Sequence, residues 1–192
     1  MEIKPGIANA AAGQKPGQQQ ALLHYAHCSI HLPDRVLLHD FSFAIPEGAR
    51  SVITGKSGSG KSTILRSIIG LILTQNEAAR IQLRSLVLRP DTVSQFRQQI
   101  AYVPQELLEH GSVQAVLDRP FRFKCNQTKR PDRRLVLDHL AALALRPQIL
   151  NQSFSALSGG EKRRVAILVA ALLDRPLWLI DEPLNGLDPE SR

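Results

Sequence analysis

From residue 21 onward the chain alternates between short apolar runs and polar breaks, and the period of that alternation changes along it. ALLHYAHCSIHL and VLLHDFSFAIP read as strands, and polar and apolar positions alternate over 40–45, the two-residue period of a pleated ribbon. Pro46, Glu47 and Gly48 make a turn. ARSVITG is a short apolar strand running into glycines, and KSTILRSIIGLIL continues as a helix. ARIQLRSLVL predicts two strands paired around a short turn. QQIAYVPQ predicts another, ended by Pro104, which has no N–H to give to a ladder. Over 133–145, the leucines at 135, 137, 140, 143 and 145 form much of one apolar helix face. A helix over 158–173 follows, and PLWLIDEP closes the pattern as a continuous apolar strand of the kind buried on both faces.

Strands alternating with helices imply an α/β fold with a largely parallel sheet. The stretch 106–152 shows no clear strand and reads as a helical insertion, giving a helical subdomain of about 106–157 within a domain of 21–192. Residues 1–20 carry Pro, Gly, Gln, Ala and Lys without periodicity, which predicts a disordered arm. The longest strongly apolar run, 165–173, is far short of the ~18 residues of a membrane span. Residues 1–20 hold no apolar leader core, so the chain is expected in the cytoplasm or peripheral to a membrane on its cytoplasmic face.

Composition adds little beyond an ordinary globular range, with 43% hydrophobic and 21% charged residues. The formal net charge of +7 is compatible with nucleic acid, anionic lipid or nucleotide. Much of it lies in DRPFRFKCNQTKRPDRR, read as a solvated face. Aromatic residues at 5% give no stacking platform for single strands, so no nucleic-acid partner is expected. Cys28 and Cys125 have neither a CxxC partner nor zinc-like spacing and read as idle thiols.

The chemistry begins at GKSGSGKS, which fits the phosphate-loop pattern G-x-x-x-x-G-K-[ST] between a strand and a helix. Gly55, Gly58 and Gly60 let the backbone curl close to phosphate oxygens, with Lys56, Ser57 and Ser59 between them. The amides of this nest and of the new helix, Thr63 included, point at an anion that the helix dipole also attracts. Lys61 supplies a cation for the β- and γ-phosphates of ATP, and Ser62 a hydroxyl for Mg²⁺. Asp181, at the end of the apolar strand, is placed to face the magnesium or its water. Glu182, one residue on, can polarise an attacking water. Gln105, at a strand end between these motifs, can touch Mg²⁺ or that water without changing the charge.

LSGGEKRR opens the last helix. Ser158 and Glu161 form S-x-x-E, a capping box that starts a helix by itself. It does not account for Gly159 and Gly160, each about 1 kcal/mol worse than alanine in a helix. Their use is to bare the first amides to an anion. The phosphate loop already wraps one nucleotide, so the second anion site is expected to serve the ATP of another subunit.

Phosphate loop, YVPQ, LSGGE, LWLIDEP and NGLD occur in the order seen in ABC-type ATPases, and the resemblance spans about 21–192. It implies a P-loop NTPase-like parallel sheet core with an antiparallel β subdomain and a helical insertion. It also implies a head-to-tail homodimer in which Ser158, Gly159, Gly160 and Glu161 close on ATP held by the facing copy. Asp188 resembles the aspartate linking the two sites, and Gln105 the hinge glutamine that senses a membrane-spanning permease subunit. RSVITGKSGSGKSTIL and FRQQIAYVPQELLEHGSVQAVLDRPF are most similar to the small bacterial iron-export, YbbL-like group, which implies metal export. A nucleotide-binding fragment without turnover and a soluble regulatory ATPase are the alternatives.

Three departures stand out. The adenine-stacking position falls near Ile30 and His31, with Tyr25 too early on its strand. TQNEAARIQL lacks the glycine turns usual in the hairpin. The chain stops four residues after Asp188, and its histidines all precede Asp181, so the domain is expected to be C-terminally incomplete and without the switch histidine.

Overall fold

The structure is a computed structural model. It describes the backbone of residues 6–10 and the whole of residues 21–32 and 35–182. The chain divides into two compact units, residues 1–99 and 100–192.

In the first unit, β1 (Gly6–Ala10) pairs antiparallel with β4 (Arg50–Thr54), Gly6 opposite Thr54 and Ala10 opposite Arg50. A regular strand thus forms inside the stretch expected to lack one. β2 (Ala21–His31), β3 (Val36–Pro46), β5 (Arg80–Leu83) and β6 (Leu86–Val87) make an antiparallel sheet in the order β3-β2-β5-β6. The hairpin without glycines turns at Arg84, which itself takes φ +52.

Tyr25 is central to this sheet. Its ring stacks on Phe43 at 4.9 Å between centroids and meets Phe41 edge-on at 6.3 Å. Its hydroxyl is 2.9 Å from Ser67 Oγ on α1 (Lys61–Ile68), and burial pushes the phenol pKa well up. The residue is a core pillar and not a stacking platform; Ile30 is buried as well, and His31 is exposed at the strand end.

Helix α1 buries Ile64, Ser67 and Ile68 and ends earlier than its apolar sequence suggests. Gly70 takes φ +67, and Leu71 and Leu73 are exposed beyond it. Helix α2 (Val93–Arg97), which the hydrophobic pattern does not announce, supplies the reason. Arg97 donates from Nε to the Ile69 carbonyl at 2.8 Å and from a terminal nitrogen to that of Gly70 at 3.1 Å. These carbonyls, of the C-cap and the residue after it, lie where the ladder of α1 has ended.

In the second unit, β7 (Ile100–Val103) and β8 (Leu177–Ile180) pair in parallel, Ile100 opposite Leu177 and Val103 opposite Ile180. The Asp181 N–H extends the ladder to the Val103 carbonyl at 2.9 Å. Between the two strands run α3 (Val113–Asp118), α4 (Arg133–Ala142) and α5 (Gly159–Leu173), joined by 3-10 turns. Their core includes Val113, Leu117, Phe121, Leu140, Phe154, Val165 and Leu168.

The apolar face of α4 is largely as the leucines predict: Leu140 is buried beside Val136, Leu137 and Leu143 pack against the same core and Leu145 is buried just beyond, while Leu135 is 43% exposed. One sequence expectation is corrected here. Strand β8 is not buried on both faces: Leu177 and Leu179 are buried but Trp178 is 40% exposed.

Candidate functional site

The loop between β4 and α1 has the shape its glycines predict. Gly58 takes φ +76 and Gly60, the N-cap of α1, φ +89. A Cβ on Gly60 would meet the Leu37 side chain at 2.8 Å, and one on Gly55 would meet Ser59 Oγ at 2.5 Å. No side chain caps α1, so its first amides are not blocked by one. The Lys61 ammonium folds back over the loop, donating to the carbonyls of Gly55 and Lys56 at 3.1 Å each. Ser59 Oγ is fully buried and has no hydrogen-bond partner among the described residues. Left-handed backbone, an uncapped helix start, an ammonium and an orphan hydroxyl together fit a phosphate chain. Lys56 and Ser57 lie exposed in the loop, and Ser62 and Thr63 are half-buried in the first turn of α1. Arg35, which no motif marks, donates to the Gly58 carbonyl at 3.4 Å and adds a cation at the loop.

In the second unit the ends of β7 and β8 bring two expected residues together. Gln105 Nε2 donates to Glu182 Oε2 at 2.7 Å. Asp181, at the end of β8, is 2% exposed. Glu182 takes φ +50, a left-handed conformation that costs about 1–2 kcal/mol for a residue with a Cβ. Such strain clusters at functional positions. Asp188 lies outside the described residues.

The start of α5 is the capping box read from the sequence. Ser158 Oγ accepts the Glu161 N–H at 3.2 Å, and Glu161 Oε2 accepts the Ser158 N–H and hydroxyl at 2.9 Å each. The helix then opens on Gly159 and Gly160, which put no side chain over their amides. Hydrogen bonds from the Ser158 backbone and side chain hold the Glu161 pKa below the usual glutamate value. A depressed folded-state pKa contributes stability above the unfolded-state pKa and loses it as pH falls through the folded value. Glu161→Ala is therefore expected to destabilise by about 0.5–1 kcal/mol at neutral pH. In denaturant melts its deficit against wild type should shrink in acid; a deficit independent of pH would remove the carboxylate from the cap.

A phosphate loop opening one helix, a strand-end carboxylate pair and a glycine-opened second helix are the parts of a nucleotide-binding α/β protein. The family model described as ABC transporter matches residues 38–185, and the chain belongs to that family. The fold is accordingly the P-loop NTPase-like α/β fold of ABC ATPase domains. An energy-coupling factor transporter ATP-binding protein, EcfA3, of Oenococcus oeni is 34% identical over 165 residues, covering 81% of this chain and 55% of that protein. The Escherichia coli protein named "Probable iron export ATP-binding protein FetA" is 30% identical over 161 residues, covering 83% of this chain and 69% of that one. A solved ATP-binding subunit of an ABC transporter superposes with a TM-score of 0.66 at 26% identity, covering 88% of this chain and 70% of that one. The chain thus spans little more than half the length of several curated relatives, 58% in EcfA2 of Halalkalibacterium halodurans.

Proposed function

We propose that the chain is the ATP-binding and ATP-hydrolysing subunit of an ABC transporter, powering a separate membrane-spanning permease. The observation that carries this reading is the phosphate loop, where Lys61 folds back onto the Gly55 and Lys56 carbonyls and the buried Ser59 hydroxyl has no hydrogen-bond partner among the described residues. In this reading residues 55–63 would hold the phosphates, and Ser62, Gln105 and Asp181 would hold Mg²⁺ by hard oxygen atoms. Bound there, it would supply positive charge to offset that of the phosphates. Glu182 takes the proton of the attacking water, and Gln105 holds its carboxylate in place. Ser158, Gly159, Gly160 and Glu161 serve the ATP of a facing copy in a head-to-tail homodimer, with Asp188 between the two sites.

A peripheral place on the cytoplasmic face, held by the permease, belongs to this reading; no helix among the described residues is long and apolar enough to cross a membrane. Relatives of similar identity are named for energy-coupling factor transport and for iron export, so cargo follows the permease; metal export is the class that FetA supports.

The +7 charge does not redirect this reading. In the basic segment Arg119 pairs with Glu109, and Arg130 pairs with Asp118 at 3.0 Å. The test is a pair of titrations of the purified chain, one with Mg-ATP and one with duplex DNA of increasing length. Saturable ATP binding is expected, with no length-dependent DNA binding near physiological salt. DNA binding that falls steeply with salt and is lost on reversing Arg130, Arg133 and Arg134, without ATP binding, would replace this reading.

A further inference from the structure

Arg163 belongs to neither the phosphate loop nor the capping box, yet only 3% of it reaches solvent. It sits in the second turn of α5, five residues beyond Ser158. Burying a guanidinium costs several kcal/mol unless its donors are met. Burial pulls its pKa down, and the charges of Asp181 and Glu182 pull it up.

Its Nε is buried with no hydrogen-bond partner among the described residues, so the two terminal nitrogens carry its bonding, to an informative pair of acceptors. One terminal nitrogen donates to the Pro104 carbonyl at 2.7 Å and the other to the Asp181 carbonyl. These carbonyls cap the ends of neighbouring parallel strands, β7 and β8. Each belongs to the peptide plane that carries the next residue's N and Cα. Pinning the Pro104 carbonyl therefore fixes the start of Gln105, and pinning the Asp181 carbonyl fixes the start of Glu182. Gln105 and Glu182 are the two residues joined by the 2.7 Å side-chain hydrogen bond. The second anchor also lies next to the strained backbone of Glu182, at φ +50, whose conformation needs outside support.

We infer that Arg163 is a positioning residue: its planar guanidinium spans two peptide planes, keeps Gln105 and Glu182 in register, and ties that pair to the Ser158–Gly160 end of α5. This rests on the proposed hydrolytic role of Glu182. A planar fork suits the task because it sets the spacing and the orientation of both acceptors at once. An ammonium can also reach two carbonyls, as Lys61 does, but it is a compact point charge on a flexible stem and does not set their relative orientation as a planar fork does. Through this link, whatever closes on the start of α5 acts on the chain's own Gln105–Glu182 pair, so the half-site lent to a facing copy and the water-polarising pair move together.

The test compares Arg163→Gln and Arg163→Lys in the full chain, with three readings. The first is the NMR signal of the Gln105 side-chain amide, which reports its hydrogen bond to Glu182 whether or not the chain hydrolyses ATP. Arg163→Gln should shift this signal to that of a solvated amide, while core methyls of Val113 and Leu168 stay put. The second is steady-state hydrolysis, where kcat should fall about 10–100-fold with KM within about twofold, the pattern of a lost transition-state interaction. Arg163→Lys, which keeps the charge and most of the volume, should recover part of kcat. The third is equilibrium ATP affinity, expected unchanged because the phosphate loop is untouched. An unshifted Gln105 signal in both variants would overturn the inference. So would a loss of ATP affinity in parallel with kcat, which marks a general structural role. Absence of hydrolysis in the wild type would sink the proposed function alone, since the amide signal still decides on Arg163.

Discussion

Lys61→Ala is expected to lower the affinity for Mg-ATP by one to two orders of magnitude. In the structure the ammonium rests on the carbonyls of Gly55 and Lys56, 3.1 Å from each. On nucleotide binding it exchanges these neutral acceptors for phosphate oxygens. A hydrogen bond to a charged group is worth about 1.5–3 kcal/mol net, which corresponds to roughly 10- to 150-fold in affinity. The loss should appear in binding and not in folding. Lys61 is the first residue of α1, and alanine is the better helix former, so the helix itself is not weakened. The site also retains its left-handed glycines and helix dipole, so residual weak binding is expected. Equilibrium titration with Mg-ATP, paired with a thermal melt in the absence of nucleotide, checks both parts. Unchanged affinity would remove Lys61 from the phosphate site.

What the sequence made legible was what its local chemistry specifies. Strand β3 runs over 36–46 as its alternation predicts, and α5 starts at the Ser158 capping box. The phosphate loop was readable because glycine spacing and a lysine at the helix start are both local requirements. The Gln105–Glu182 pair was less accessible: its members are 77 residues apart, and each looks like an ordinary strand-end polar residue. The features that escaped are all set by tertiary contact. Helix α2 is five residues long, too short for a helical period to show, and it matters through what Arg97 does for the end of α1. The partial exposure of Trp178 depends on what covers each face of β8, which an apolar run cannot report. Arg163 lies in a run of basic residues that reads as a wet helix face. Only the packing of α5 against β7 and β8 turns it inward, onto two carbonyls.

Glu182→Gln separates binding from turnover. The carboxylate oxygen that accepts from Gln105 at 2.7 Å is replaced by an amide oxygen that can accept the same hydrogen bond. Glutamine has the same length as glutamate, so the φ of +50 at this position becomes no harder to hold. Asp181 keeps its charge, and the phosphate loop is untouched. What disappears is the basic oxygen that would take a proton from water. General-base contributions are typically about 10²–10⁴-fold, so turnover should fall within that range. ATP affinity should stay within a few-fold of wild type. A second consequence follows if the start of α5 closes on the nucleotide of a facing copy. With hydrolysis blocked, the bound ATP continues to bridge the two chains, and a dimer should persist in Mg-ATP that wild type forms only transiently. Single-turnover phosphate release measures the first effect, and light scattering after gel filtration in Mg-ATP measures the second. Turnover close to wild type would place the base on another residue. A blocked but monomeric variant would keep Glu182 as the base and remove the facing copy from the ATP site.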